Sequence, residues 1–266
     1  MTQCPFCDAE IEAPAIRCKY CERLIGSFAK RYKIPPIWGI GDILVVSGVT
    51  LTFGFILGLA ALPFYFNNKP LYYLIYLLIN DLALVFGVVF VYFYIARIYS
   101  KKFLVDLNIR PLNNLHLIWL IISGLLLCLF GMFNPPWAKS PLSSSTMVGL
   151  MSSQQTIVLY FFTSILIAPS CEEIFWRRFA YPSMKKSIGT FSAVFVISSL
   201  FAALHLPKVS NLWWGFTYFF VVGIIRTLVR EITGSTLSSI TLHAFLNIFI
   251  TIRLMAVLFL KYWRWL

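Results

Sequence analysis

The chain has 266 residues, of which 59% are hydrophobic and 12% charged, with a formal net charge of +12 and a mean hydropathy of +0.81. That balance excludes a soluble domain, and apolar runs without ten-residue alternation exclude a membrane β-barrel. The positive charge does not mark a nucleic-acid binder, because basic residues gather in short segments between apolar runs, where they act as topology signals.

Residues 1–25 read as a separate module. Cys4-Pro5-Phe6-Cys7 and Cys18-Lys19-Tyr20-Cys21 are two CxxC knuckles with ten residues between them. Each can grip a metal from a tight turn, and four thiolates complete a tetrahedral zinc site. The pattern resembles a short zinc ribbon, and favours structural Zn²⁺ on Cys4, Cys7, Cys18 and Cys21 over two disulfides or a redox pair. Thiolates that hold zinc need a reducing compartment, which places the N-terminus in the cytosol. The module can be a stabilised knob or a docking site for a protein partner. No cleavable signal peptide is expected, since the chain opens on this polar stretch. A basic linker over residues 26–37, with Lys30, Arg31 and Lys33, suits anionic head groups at the inner face.

Residues 38–266 then read as an all-α, polytopic transmembrane bundle of seven or eight helices. Seven candidate helices fall at about Ile40–Leu62, Leu71–Ile95, Leu115–Phe133, Thr156–Tyr181, Ile188–Leu206, Leu212–Arg230 and Thr236–Leu260. Sixteen basic residues lie in the N-terminal segment and alternate loops, against three in the others. That bias orients the N-terminus to the cytosol. Arg253, Lys261 and Arg264 conflict with it, so either the tail turns back as an eighth element or this end breaks the rule. Asn80 and Asp81, inside the second helix, suit an interhelical hydrogen bond. Trp213, Trp214 and Trp263 suit interface anchors.

Three stretches carry chemistry. The fourth helix contains Ala168-Pro169-Ser170-Cys171-Glu172-Glu173-Ile174-Phe175-Trp176-Arg177-Arg178, two adjacent carboxylates where membrane helices rarely tolerate one. The fifth contains Phe201-Ala202-Ala203-Leu204-His205, and the seventh His243-Ala244-Phe245-Leu246-Asn247. Glu173 with Arg177, Phe201 with His205, and His243 with Asn247 are each four residues apart and share a helix face. Glu172 and His243 each lie thirteen residues from a basic loop residue, about 20 Å at 1.5 Å per residue, and His205 lies at a similar depth. The three can meet at one level.

Desolvation at that depth makes a carboxylate a better general base than it is in water. A neighbouring histidine can share a water with it, while a second histidine and an amide can stabilise an oxyanion. These parts suit water-driven hydrolysis of a peptide bond. The same residues could instead hold a metal that activates the water, although the HExxH helix of soluble zinc proteases is absent. Cys171 and His116 are expected to be structural.

The ordered set EExxxR, FxxxH and HxxxN, met by Glu172, Glu173, Arg177, Phe201, His205, His243 and Asn247, resembles the CPBP family. These are the CAAX-protease and bacteriocin-processing intramembrane endopeptidases, also called the Abi family. The likeness covers about residues 157–250. It implies that Glu172 activates water with His205, that His243 and Asn247 steady the oxyanion, and that Glu173 and Arg177 hold that geometry. Members are often described as metalloproteases, and a metal-free glutamate mechanism is also implied for some. Arg178 stands where the family often has glycine, which bears on access to the site. The resemblance implies a membrane-associated peptide or protein substrate and, with the ribbon, a prokaryotic plasma-membrane location. The alternative is a non-catalytic scaffold or immunity-type protein that uses the ribbon to dock a partner.

Overall fold

The computed structural model describes residues 2–4, 10–12, 18, 20, 38–99, 112, 114–132, 149–150, 153–206 and 211–263. At the N-terminus β1 (Thr2–Gln3) pairs antiparallel with β2 (Glu10–Ile11), Thr2 opposite Ile11. Cys4, just after β1, and Cys18 are both buried. Cys7, Cys21 and the basic linker lie outside the described residues.

Among the described residues seven helices follow: α1 (Ile40–Asn67), α2 (Lys69–Tyr99), α3 (Asn114–Met132), α4 (Gln154–Ile188), α5 (Thr190–His205), α6 (Leu212–Thr233) and α7 (Thr236–Trp263). Five of them are long and apolar enough to cross a membrane. All seven coincide with the helices read from hydropathy, to within several residues at each end. α7 continues unbroken to Trp263, so no eighth element begins before that residue.

The burial pattern is that of a protein solvated by lipid. Phe55, Phe66, Phe93, Leu129 and Phe191 are exposed on the outside, while Glu173, Arg177, Ser198, Arg226 and Thr227 are buried. With hydrocarbon outside, polar groups must find partners within the bundle. α1 pairs with α2, α5 with α6, and α7 lies against α3, α4 and α6. α4 is thus enclosed, and the two glutamates lie on it.

Local chemistry sets the entries and corners. Trp38 donates its indole N–H to the Phe179 carbonyl at 3.0 Å, tying the start of α1 to α4. Ser153 caps α4, its hydroxyl accepting the Thr156 N–H at 3.2 Å while Thr156 Oγ1 accepts the Ser153 N–H. Gly189, at φ +80°, makes the one-residue turn into α5, and Gly234, at φ +64°, ends α6. A Cβ at Gly223 would stand 3.1 Å from the Ser198 Cα, so α5 and α6 meet closely there.

α4 is not a regular α-helix. Two π-helical stretches, Thr163–Ile167 and Ile174–Ala180, flank the short α-helical turn Ala168–Glu173. In the first, the Ala168 N–H reaches back five residues to the Thr163 carbonyl. The next bond in that register would run from residue 169 to the Ser164 carbonyl. Residue 169 is proline and has no N–H to give. The Ser164 carbonyl instead accepts the Asn247 side-chain amide at 2.7 Å. A break in the α4 ladder is therefore closed by α7, and π segments of this kind recur at functional sites.

Candidate active site

Consecutive residues on a helix point about 100° apart, so Glu172 and Glu173 face different neighbours. Glu173 is completely buried. Its Oε1 accepts from Arg226 Nη1 at 2.8 Å, from His243 Nδ1 at 3.0 Å and from Arg177 Nη1 at 3.3 Å. Arg177 Nε also stands 3.2 Å from its other oxygen. Arg177 is held at its far side by the Gly223 carbonyl, 3.3 Å from Nη2. Phe201 lies beneath both guanidiniums, its ring centre 4.2 Å from Arg226 and 5.0 Å from Arg177. Glu173 thus joins α4, α6 and α7 at a single oxygen.

Glu172 faces the other way, onto a cavity of about 180 Å³ whose wall includes His205, His243, Asn247 and Phe219. That space holds several waters, each occupying roughly 30 Å³ in the liquid. Glu172 Oε2 stands 4.0 Å from His205 Nε2 and 4.0 Å from His243 Nε2. The opposite ring nitrogens are fixed. His205 Nδ1 is 2.8 Å from the Phe201 carbonyl, and His243 Nδ1 bonds the Glu173 carboxylate. Both partners can only accept, so each Nδ1 carries the proton and each neutral ring turns an Nε2 lone pair toward Glu172. His205 is also clamped between Phe201 and Phe219, with ring centres 4.3 and 4.5 Å away.

The two 4.0 Å edges exceed the edge of about 3.4 Å expected for a tetrahedral site with bonds of ~2.1 Å. They suit a water roughly 2.8 Å from each atom. Among the described residues, no group of three or more His, Cys, Asp or Glu side chains has metal-ligand spacing.

The residues singled out in the sequence converge here. Glu172, His205, His243 and Asn247 line the cavity, and Glu173 and Arg177 stand behind them. Arg178 does not line it; its guanidinium lies 6.0 Å from the Trp38 ring. Asp81 accepts the Thr163 hydroxyl at 2.7 Å, joining α2 to α4 as an interhelical bond should, and Asn80 lines the cavity.

Two of the sixteen basic residues assigned to loops, Arg177 and Arg226, are instead fully buried, and both lie on Glu173. Removing both leaves the loop bias in the same direction. The available signal for Arg226 was the apolar run on either side of it.

Neither a curated protein nor a solved structure matches the chain. A family model does match, over residues 154–249, which run from the first turn of α4 to the middle of α7 and contain Glu172, Glu173, Arg177, His205, Arg226, His243 and Asn247. That stretch is similar to the family described as type II CAAX prenyl endopeptidase Rce1-like.

Proposed function

We propose that the protein is an intramembrane endopeptidase of the CAAX type in which Glu172 and His205 activate water and no metal is required. The single observation that carries this reading is the approach of two Nε2 atoms to one carboxylate oxygen, 4.0 Å each. A water held among the three would lose a proton to Glu172 as its oxygen attacks the scissile carbonyl. The proton then passes to the leaving amide nitrogen, through Glu172 or a neighbouring imidazole. General acid–base help of this sort supplies on the order of 10²- to 10⁴-fold.

His243 is oriented for the developing oxyanion. In the neutral ring Nε2 is an acceptor; it becomes a donor to the oxyanion when the ring takes up the proton released by the attacking water, and the Glu173 carboxylate on Nδ1 pairs with the imidazolium so formed. Asn247 spends one amide hydrogen on Ser164, which leaves the second for the same oxyanion. Glu173, Arg177 and Arg226 are positioning residues. They hold His243 and the α4–α6 contact without touching substrate.

The substrate is a membrane-associated peptide or protein tail. The protein is integral to the membrane; the loop charges favour a cytosolic N-terminus, and the family resemblance together with the ribbon favours a prokaryotic plasma membrane. The ribbon is proposed to hold one Zn²⁺ on Cys4, Cys7, Cys18 and Cys21 and to offer a docking surface for a protein partner, with no part in cleavage.

The test is cleavage of a prenylated CAAX peptide by purified protein and by Glu172→Gln. Cleavage by the wild type, lost in the variant while its thermal melt is kept, supports the reading. Equal cleavage by both defeats it. Metal analysis separates the two candidate sites. Zinc at one equivalent, lost together with both Cys4 and Cys7 and without loss of cleavage, agrees with a structural ribbon. Metal retained in that variant and needed for cleavage points to a metal in the membrane site.

A further inference from the structure

The mechanism leaves one charged group on the cavity wall unused. Arg253, on α7, lines the same cavity as Glu172 and His243. Its Nη1 donates to the Gly131 carbonyl at the end of α3, at 2.7 Å. A guanidinium has five N–H donors, and this is the one hydrogen bond it makes among the described residues. None of them places a carboxylate within ion-pair distance of it. Residues 133–148, which follow Gly131 in the chain, contain no Asp or Glu.

A cation in the interior of a membrane domain is costly, and where it persists on a cavity it marks the path of a charged ligand. Gly131, Trp214 and Tyr218 form the wall near it. That wall is otherwise apolar and aromatic, so an anion reaching Arg253 would meet a poorly screened charge.

Arg253 lies ten residues beyond His243 on one continuous helix, about 15 Å along its axis. An extended peptide covers that distance in roughly four to five residues at 3.3 Å each. The cavity therefore holds a water-activating carboxylate at one place and an anion-binding guanidinium a short peptide's length away. Arg is also the side chain best shaped to take a carboxylate through two parallel N–H bonds.

We propose that Arg253 binds the free α-carboxylate of a substrate's C-terminus and so measures the distance from chain end to scissile bond. The proposal rests on the protease reading for its catalytic consequence. It predicts an exopeptide-length rule: peptides ending in a carboxylate a few residues beyond the scissile bond are preferred, and amidated peptides are not.

The experiment uses the full-length protein in detergent and one prenylated CAAX peptide made twice, as the free acid and as the C-terminal amide. The wild type is expected to favour the acid in kcat/KM by roughly ten- to a hundredfold, as for loss of a hydrogen-bonded charge, mostly through KM. In Arg253→Gln the acid-to-amide ratio collapses toward one, and in Arg253→Lys it is partly restored. An unchanged ratio in Arg253→Gln overturns the proposal, as does an equal loss on both peptides, which would mark Arg253 as a structural tie to Gly131. Binding of the two peptides to Glu172→Gln, read by a spectroscopic label, separates the claims. If no form of the protein cleaves, the protease reading fails, and the acid-to-amide binding ratio still decides for or against Arg253.

Discussion

Two carboxylates that are neighbours in the chain occupy opposite situations. Glu173 has no exposure and gathers two arginines and a histidine within 3.3 Å. Glu172 borders the cavity and stands 4.0 Å from two imidazoles. A group enclosed by short bonds on three helices is built to stay where it is. One at a water's width from its neighbours is built to exchange something with them. The same residue type thus serves as a girder at one position and, in the proposed mechanism, as a reagent at the next, and the difference comes from which helices each faces.

That comparison can be broken from several directions. The largest effect is expected at Glu173. Glu173→Ala leaves Arg177 and Arg226 buried without their counter-charge, which costs on the order of 3–5 kcal/mol. A thermal or denaturant melt in detergent should show it as a strongly destabilised or unfolded protein. A Glu173→Ala variant with a wild-type melt would remove the girder.

Smaller in stability, and large in turnover, are the histidines. His205→Ala and His243→Ala should each lower kcat by about 10²-fold or more. His205→Ala should melt near the wild type, because its bond partner is a backbone carbonyl at the end of α5, where helix carbonyls can turn to water. His243→Ala should melt lower, because it also removes the bond that Nδ1 donates to Glu173. Equal melts for the two variants would mean that His243 does not brace Glu173.

Asn247→Ala should cost about 1–3 kcal/mol, since it strands the Ser164 carbonyl inside the bundle. It should also slow cleavage by loosening the turn that carries both glutamates. Hydrogen exchange confined to residues 163–173 is the appropriate readout. The smallest effect is expected far from the site. Tyr94→Phe removes a 2.8 Å bond to Asp42, worth about 1 kcal/mol, with cleavage unchanged.

The membrane helices were legible because burial in lipid demands long apolar runs, and those runs have clear edges. The site residues were legible because charged or imidazole side chains inside such runs stand out singly. The same reasoning failed for Arg226. A cation near the end of an apolar run looks like a loop charge unless its partner is known, and that partner lies 53 positions away on another helix. The π segments of α4 left no trace either. They alter which carbonyl each N–H reaches, and hydropathy does not record that. Pro169 is plain in the sequence, but nothing there shows that Asn247 would bond the carbonyl it leaves open. Arg253 appeared only as an exception to the loop-charge rule, and the cavity gave it a second meaning.

The central claim is that Glu172 reacts while Glu173 supports. It is tested most directly by turnover of one prenylated CAAX peptide by Glu172→Gln, measured beside its melting curve. The account predicts a melt close to the wild type's and a loss of turnover on the order of 10³-fold. A Glu172→Gln protein that is folded and still cleaves at the wild-type rate would contradict it.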